Sequence, residues 1–500
     1  MMGFCYIKSQ IQIDREMIMI INKLYKGLIA LGAGLLVSSH LLAEEIKVES
    51  SRENPPVDLI VYGDYVLTMD NLNSTDKGII EKGAIAVAGG KIVAVGPARE
   101  IEISYDAIKT IPGDGRILMP GLINGHTHSA MTLLRGLADD LPLMQWLQNY
   151  IFPMAGPFVD KEFVEIGMRL ACLEMIKGGT TTFADMYFYP KTAVDTVVEC
   201  GMRAIIGSPM IDFPSPGFKG WDDSMRAGVK FVRDMKAKGH PRITPAFAPH
   251  APYTVSPEHL ADVVKAAKQE NVPILMHLAE SPSEVADVTG KYGKRPVTHV
   301  ADLGMLDHPM AAAHVVHPDA DEIKMLAKSK VGAVHNPTSN MKLASGVAPV
   351  PAMLEAGVKV GLGTDGAASN NDLNMWEEMR LAALLHKVTS EDPTALPAID
   401  VLRMATSLGA AAVDMENDIG SLSPGKRADM IQLTLDKPHL TPLYNVISHL
   451  VYAANATDVV TTIEGSVLME DGKVTVLDEA KVIEAANRKA AEIKAALAER

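Results

Sequence analysis

The sequence predicts an α/β protein: a (β/α)8 barrel of TIM type, with a small β-sandwich built from its N- and C-terminal flanks. From about residue 120 onward, short apolar β-type runs alternate with longer helical stretches, and eight such runs recur at intervals of roughly 20 to 40 residues. Strand–helix alternation at this spacing argues for a parallel sheet, and eight units argue for a closed barrel. Further β-rich runs with hairpin turns stand before and after this region, placed to pair with each other.

The elements follow in chain order. Lys23 and Lys26 precede the apolar run 27–37 (GLIALGAGLLV), and small residues lead to Ala43 and an acidic start at Glu44. This reads as a signal peptide over residues 1–43, cut after Ala43, and predicts an exported protein, periplasmic or secreted. The run is too short to span a bilayer, which needs about 20 apolar residues, so no stable membrane insertion is expected after cleavage. Residues 1–16 fit no n-region, and Met17 or Met19 makes a more natural start. Residues 44–118 hold a polar linker (ESSRENPP) and the first part of the sandwich, with a hairpin signal at Gly89-Gly90. The barrel takes residues 119–422. Its strand candidates are 122–128, 180–187, 203–210, 242–250, 273–280, 310–317, 331–337 and 358–366. Residues 423–477 return to β patterning, with a turn at Asp471-Gly472, and residues 478–500 form a helical tail.

Charge and cysteines narrow the function. Lys and Arg number 47 against 61 Asp and Glu, a formal charge of −14. That balance argues against a nucleic-acid partner, because phosphate binding draws on clustered cations. Three cysteines cannot make a disulfide framework, and Cys172 and Cys200 read as buried free thiols.

The chemistry sits at the carboxyl ends of the barrel strands. His126 and His128 lie two apart on the first strand, so both rings face the same way. His277 closes the fifth strand and Asp365 the eighth. Each has a plainer explanation when taken alone: a core or surface histidine, or a helix cap for the aspartate. Together they converge on one end of one barrel. Three imidazoles and a carboxylate leave a position for water, which is a catalytic rather than a structural zinc set. Glu280, three residues after His277, is placed to take and pass on a proton. His314 at the end of the sixth strand is read as functional, and His317 as structural. His250 ends the fourth strand and points to the pocket. No lysine stands at that strand end, so a bridging carbamylated lysine is not available, and one metal is expected rather than two.

At these residues the chain resembles the amidohydrolase superfamily, and within it the methylthioadenosine/S-adenosylhomocysteine deaminase group, with chlorohydrolase and cytosine-deaminase-like enzymes nearby. The stretches that carry the resemblance are PGLINGHTHSAMTLLRG (120–136), GGTTTFADMY (178–187), APHAPYT (248–254), HLAE (277–280), HNPTSNMKLASG (335–346), GLGTDGAASNNDLNMWEE (361–378) and GSLSPGKRADM (420–430). The resemblance implies that His126, His128, His277 and Asp365 hold one divalent metal, Zn2+ before Fe2+ or Mn2+. It implies that Glu280, His314 and Asp365 handle protons, that Trp146 lines the base pocket, and that His250 and Glu280 contact substrate. The implied reaction is attack of metal-activated water on an amino-substituted heterocycle such as a purine, pterin, pyrimidine or triazine, with loss of ammonia. The alternative on the same site is hydrolysis of a cyclic amide, a carbamate-like bond or a carbon–halogen bond. A non-catalytic binder is the third reading, and intact Glu280 and His314 speak against it. The partner is a small molecule, and the resemblance implies a homo-oligomer.

Two departures bear on substrate. The group usually carries Glu where this chain has Ala155, a residue with no acceptor for ribose hydroxyls. It often carries Arg near Gly207-Ser208-Pro209, where alignment places Ser208.

Overall fold

The computed structural model describes residues 54–70 and 78–498. The signal-peptide reading over residues 1–43 lies outside the described residues. Among the described residues no helix is long and apolar enough to cross a membrane.

Eight parallel strands form the barrel in sequence order: β6 (Leu122–Thr127), β7 (Thr180–Met186), β8 (Arg203–Met210), β9 (Ile243–Pro249), β10 (Ile274–Leu278), β11 (Met310–His314), β12 (Val331–His335) and β13 (Lys359–Leu362). Each begins within a residue of the run expected from sequence. The last strand returns to the first at the carboxyl end: the Asp365 N–H donates to the His126 carbonyl at 3.0 Å. Asn124 locks the same seam, accepting from Thr364 N at 3.0 Å and donating to Thr364 Oγ1 at 2.7 Å. Gly363 makes this closure possible, because a Cβ there would stand 2.8 Å from His126 N.

The barrel interior is filled by small and branched side chains, among them Ile123, Ala184, Ile205, Ala246, Leu275 and Val334. Alternate residues of the same strands face the outer helices. Those helices start and stop on local signals. The helix Lys161–Gly178 is capped by Asp160, which accepts from Phe163 N at 2.8 Å, and ends on left-handed Gly179. The C-terminal helix Glu479–Ala498 is tied to it by Lys177–Glu479 at 2.8 Å and Lys489–Glu162 at 2.5 Å.

The flanks pair with each other, as expected. The N-terminal flank supplies β1 (Pro56–Leu67), β2 (Ile79–Ala88), β3 (Lys91–Pro97), β4 (Asp106–Ile111) and β5 (Arg116–Pro120). The C-terminal flank supplies β14 (Asp429–Thr434), β15 (Val459–Glu464), β16 (Ser466–Glu470) and β17 (Lys473–Val474). They join as one nine-stranded sheet, with β14 antiparallel to β5 at the seam. Leu59, Val61, Ile85 and Val87 share a core there with Met430 and Ile463. Arg203, at the start of β8, anchors the barrel to this sheet through Asp429 at 2.9 Å and through Glu464.

Candidate active site

The strand ends bring His126, His128, His277, His314 and Asp365 together. The ring nitrogens of His126, His128 and His277 lie within 4.8 Å of one another, and so do the ligating atoms of His126, His314 and Asp365. His126 Nε2 and His128 Nε2 stand 3.3 and 3.4 Å from Asp365 Oδ1.

Hydrogen bonds fix which atoms face inward. His128 Nδ1 lies 2.7 Å from the Met186 carbonyl, and His277 Nδ1 lies 2.8 Å from the His250 carbonyl. A carbonyl can only accept, so both Nδ1 atoms carry the proton and both Nε2 atoms keep a lone pair. Those two Nε2 atoms are 3.1 Å apart. Buried His126 Nε2 makes no hydrogen bond among the described residues. Nitrogen lone pairs set this close, beside a carboxylate oxygen, repel one another unless a cation lies between them. This donor set therefore fits a divalent metal.

Electrostatics agree. Burial, with help from neighbouring rings, holds His126 down to about 4 and His277 well below the usual histidine range. Both are neutral ligands at physiological pH. Burial alone would raise Asp365, but the close approach of His126 and the neighbouring imidazoles outweigh it and keep the carboxyl well below its ordinary value. Its Oδ2 accepts from Ser339 Oγ at 2.7 Å and Ser369 Oγ at 2.9 Å, while Oδ1 accepts from Gly366 N at 2.7 Å.

Glu280 is buried beside this group, its Oε2 3.8 Å from His314 Nε2. Burial, then the Asp365 charge, pushes it up to about 8. The turn that carries it is strained, with Ala279 at φ 53°. Glu284 holds that turn, accepting from Ala279 N at 2.8 Å and Glu280 N at 2.7 Å. His314 is itself in the left-handed region at φ 74°, with Nδ1 2.9 Å from Asn340 Oδ1. Strain of this kind persists only where the surroundings enforce it.

Above the cluster lies a cavity of about 870 Å3, counted to its open mouth and lined chiefly by apolar side chains. His250 is on its wall, with Nδ1 2.9 Å from Thr254 Oγ1, and burial holds its pKa down to about 3. Trp146 lines it too, and its buried Nε1–H has no hydrogen-bond partner among the described residues. Trp146 ends the helix Leu143–Trp146, which runs through a π turn, Leu147–Ile151, into the helix Phe152–Phe158. Leu143, Leu147 and Ile151 of this segment also face the cavity.

The structure brings every candidate residue from the sequence to this one site. His317 bonds the Ser345 carbonyl at 2.6 Å instead, as its structural reading expects. Ser208 does not face the pocket: on β8 the inward positions are Ile205 and Gly207, while Ser208 is buried toward the helix Trp221–Lys238, where its Oγ would lie 3.3 Å from a Cβ at Gly228. Strand alternation decides this, so Ser208 cannot stand for a substrate-binding position. Ala155 lies on the helix Phe152–Phe158, and its side chain is outside the described residues. Sequence reasoning missed Ser339, Ser369, Asn340 and Glu284. The signal was present, since the first three lie in HNPTSNMKLASG and GLGTDGAASNND, and Glu284 follows Glu280 by four residues. Cys172 and Cys200 are buried and free.

A barrel with three histidines and an aspartate converging at its strand ends defines a class of hydrolytic enzymes. The profile of the amidohydrolase family matches residues 117–474. The chain therefore belongs to the amidohydrolase family, and it is a hydrolase of carbon–nitrogen bonds other than peptide bonds. It is 46% identical over 428 residues to a 5-methylthioadenosine/S-adenosylhomocysteine deaminase of Syntrophobacter fumaroxidans, covering 85% of this chain and 96% of the relative. It is 46% identical over 439 residues to a 5′-deoxyadenosine deaminase of Methanosarcina mazei, covering 88% and 99%. Among solved structures it resembles a zinc-bound adenosine deaminase from Xanthomonas campestris, at 37% identity and a TM-score of 0.85, covering 88% of this chain and all of that one. It also resembles a zinc-bound atrazine chlorohydrolase from Arthrobacter aurescens, at 25% identity and a TM-score of 0.78, covering 86% and 100%.

Proposed function

We propose that the protein is a metal-dependent deaminase of adenosine-type nucleosides, releasing ammonia from the amino-bearing carbon of the purine ring. The observation that carries the proposal is the inward-facing, proton-free nitrogen set beneath an apolar pocket, with Glu280 pushed up to about 8 at its edge. The names of the relatives support the nucleoside.

His126, His128, His277 and Asp365 would hold one divalent ion, zinc in the first instance. Bound there, it supplies Lewis-acid activation of water near neutral pH. The chain's own residues do the rest. Burial keeps Glu280 protonated, so it donates a proton to the ring nitrogen next to the reacting carbon. Asp365, kept ionised by its surroundings, takes the proton of the attacking water and hands it to the leaving amine. His314, its Nδ1 held 2.9 Å from Asn340 Oδ1 and 3.2 Å from Asn336 Nδ2, turns Nε2 toward Glu280 and the reacting atoms, where it positions the incoming oxygen. Trp146 and the apolar wall exclude water and hold the flat base, with the indole N–H free for an acceptor on the substrate.

The test is ammonia release by the zinc-loaded chain from adenosine derivatives, pterins, aminopyrimidines and triazines, with Glu280→Gln as control. Release from the adenosine class alone, absent in the control, is the expected result. If zinc is bound at one per chain and nothing in the panel releases ammonia, a cyclic amide or carbon–halogen bond becomes the substrate. Export belongs to the same proposal, and the native N-terminus is expected at Glu44.

A further inference from the structure

The end of β7 carries a buried carboxylate outside the ligand cluster. Asp185 Oδ1 accepts from Ser129 N at 2.6 Å and from Thr127 Oγ1 at 3.3 Å, and Thr127 Oγ1 lies 2.6 Å from Ser129 Oγ. Asp185 Oδ2 is buried with no hydrogen-bond partner among the described residues. One residue further on, the Met186 carbonyl accepts from His128 Nδ1 at 2.7 Å. Both chain neighbours of His128 are thus held by one side chain, and its ring by the next residue of the same strand.

The local sequence explains why the carboxylate comes from another strand. A short 3-10 helix, Ser129–Leu134, starts directly after His128. The first N–H groups of a helix have no partner within it, and a side chain at the cap position usually takes one of them. His128 stands at that position and makes no cap bond, because its ring is turned to the other histidines. Ser129 is buried, so its N–H would be left unpaired without Asp185. Anchoring Ser129 N limits rotation of the His128 backbone, and the Met186 carbonyl limits rotation of the ring. A buried carboxylate with one oxygen unpaired is costly to fold, so stability alone gives no reason to keep Asp185 there. Resting on the metal reading of the cluster, we propose that Asp185 is a positioning residue for the metal site. By holding Ser129 N and Thr127 Oγ1 it fixes the backbone of His128 and so aims His128 Nε2 at the ion. It acts as a hydrogen-bond acceptor, not as a charge.

The experiment takes the full chain as wild type, Asp185→Ala and Asp185→Asn; asparagine keeps the Oδ1 acceptor and removes the charge. Three quantities are measured: the zinc dissociation constant by competition with a chromogenic chelator, the visible spectrum of the cobalt-loaded chain, and the denaturation midpoint of the chelator-stripped chain. Asp185→Ala is expected to fold and to bind zinc about 10- to 100-fold more weakly, with an altered cobalt spectrum, as loss of an outer-shell partner of a ligand does. Asp185→Asn is expected to restore the wild-type affinity and spectrum. Weak binding in both variants would make the charge the cause and overturn the proposal. A lowered midpoint in Asp185→Ala with zinc affinity unchanged, or an alanine variant that does not fold, would make Asp185 a structural residue and overturn it as well. A wild-type chain that binds no zinc would overturn the metal reading and the positioning role together. None of these readouts depends on the substrate, so a failure of the deaminase reading shows separately.

Discussion

At the base of the barrel, Arg203 donates to Asp429 at 2.9 Å, to Glu464 and to the Pro241 carbonyl at 3.0 Å, and Arg242 adds a second cation 3.4 Å from Glu464. At the mouth, His128 and His277 turn lone pairs toward each other at 3.1 Å, and His126 Nε2 has no hydrogen-bond partner among the described residues. Both groups are buried and rich in ionisable residues. At the base each donor of Arg203 named above meets an acceptor among the described residues. The mouth has acceptors facing acceptors, so it is complete only when something positive arrives. Burial and charge density are therefore poor guides to function, and the pairing of donors with acceptors is the better one.

Mutations at the two ends are expected to separate stability from chemistry. The largest effect belongs to His277→Ala. Zinc per chain, measured by elemental analysis, is expected to fall with activity, which drops by more than about 10 000-fold. Full zinc occupancy in that variant would break the comparison at its mouth. Glu280→Gln is expected to keep zinc and fold while kcat falls on the order of 100- to 10 000-fold, the range for a lost general acid. A near-wild-type rate would remove Glu280 from the chemistry. At the base, Arg203→Met leaves Asp429 and Glu464 buried without their main cation. Chemical denaturation should show a loss of about 3–5 kcal/mol, with zinc content and kcat per folded chain unchanged. A loss of zinc there would mean that the two ends are coupled. The smallest effect is Ser339→Ala, which removes one of the two hydroxyl donors to Asp365 Oδ2. It is expected to lower kcat about tenfold, as outer-shell partners of a metal ligand do, with zinc still bound.

The two regions also differ in how far they could be read from sequence. The strands were legible because a parallel barrel strand is a short apolar run, and β6 to β13 start where those runs start. His126, His128, His277 and Asp365 were legible because their types and strand-end positions carry chemistry without any knowledge of the loops. The supporting residues were not. Ser339 reaches Asp365 from the short helix Pro337–Lys342 and Ser369 from the turn that follows Asp365, and Glu284 reaches back to Ala279 and Glu280 across a strained turn, so their roles depend on backbone paths that no periodicity encodes. The Arg203–Asp429–Glu464 group was invisible, since it joins positions more than 200 residues apart.

The most direct test is a zinc titration of the chelator-stripped chain, following ammonia release from 5′-deoxyadenosine against metal added. Turnover is expected to be absent at the start, to rise linearly and to level off at one zinc per chain. Turnover in the stripped chain, or a plateau reached only at two metals, would contradict a single metal held by His126, His128, His277 and Asp365.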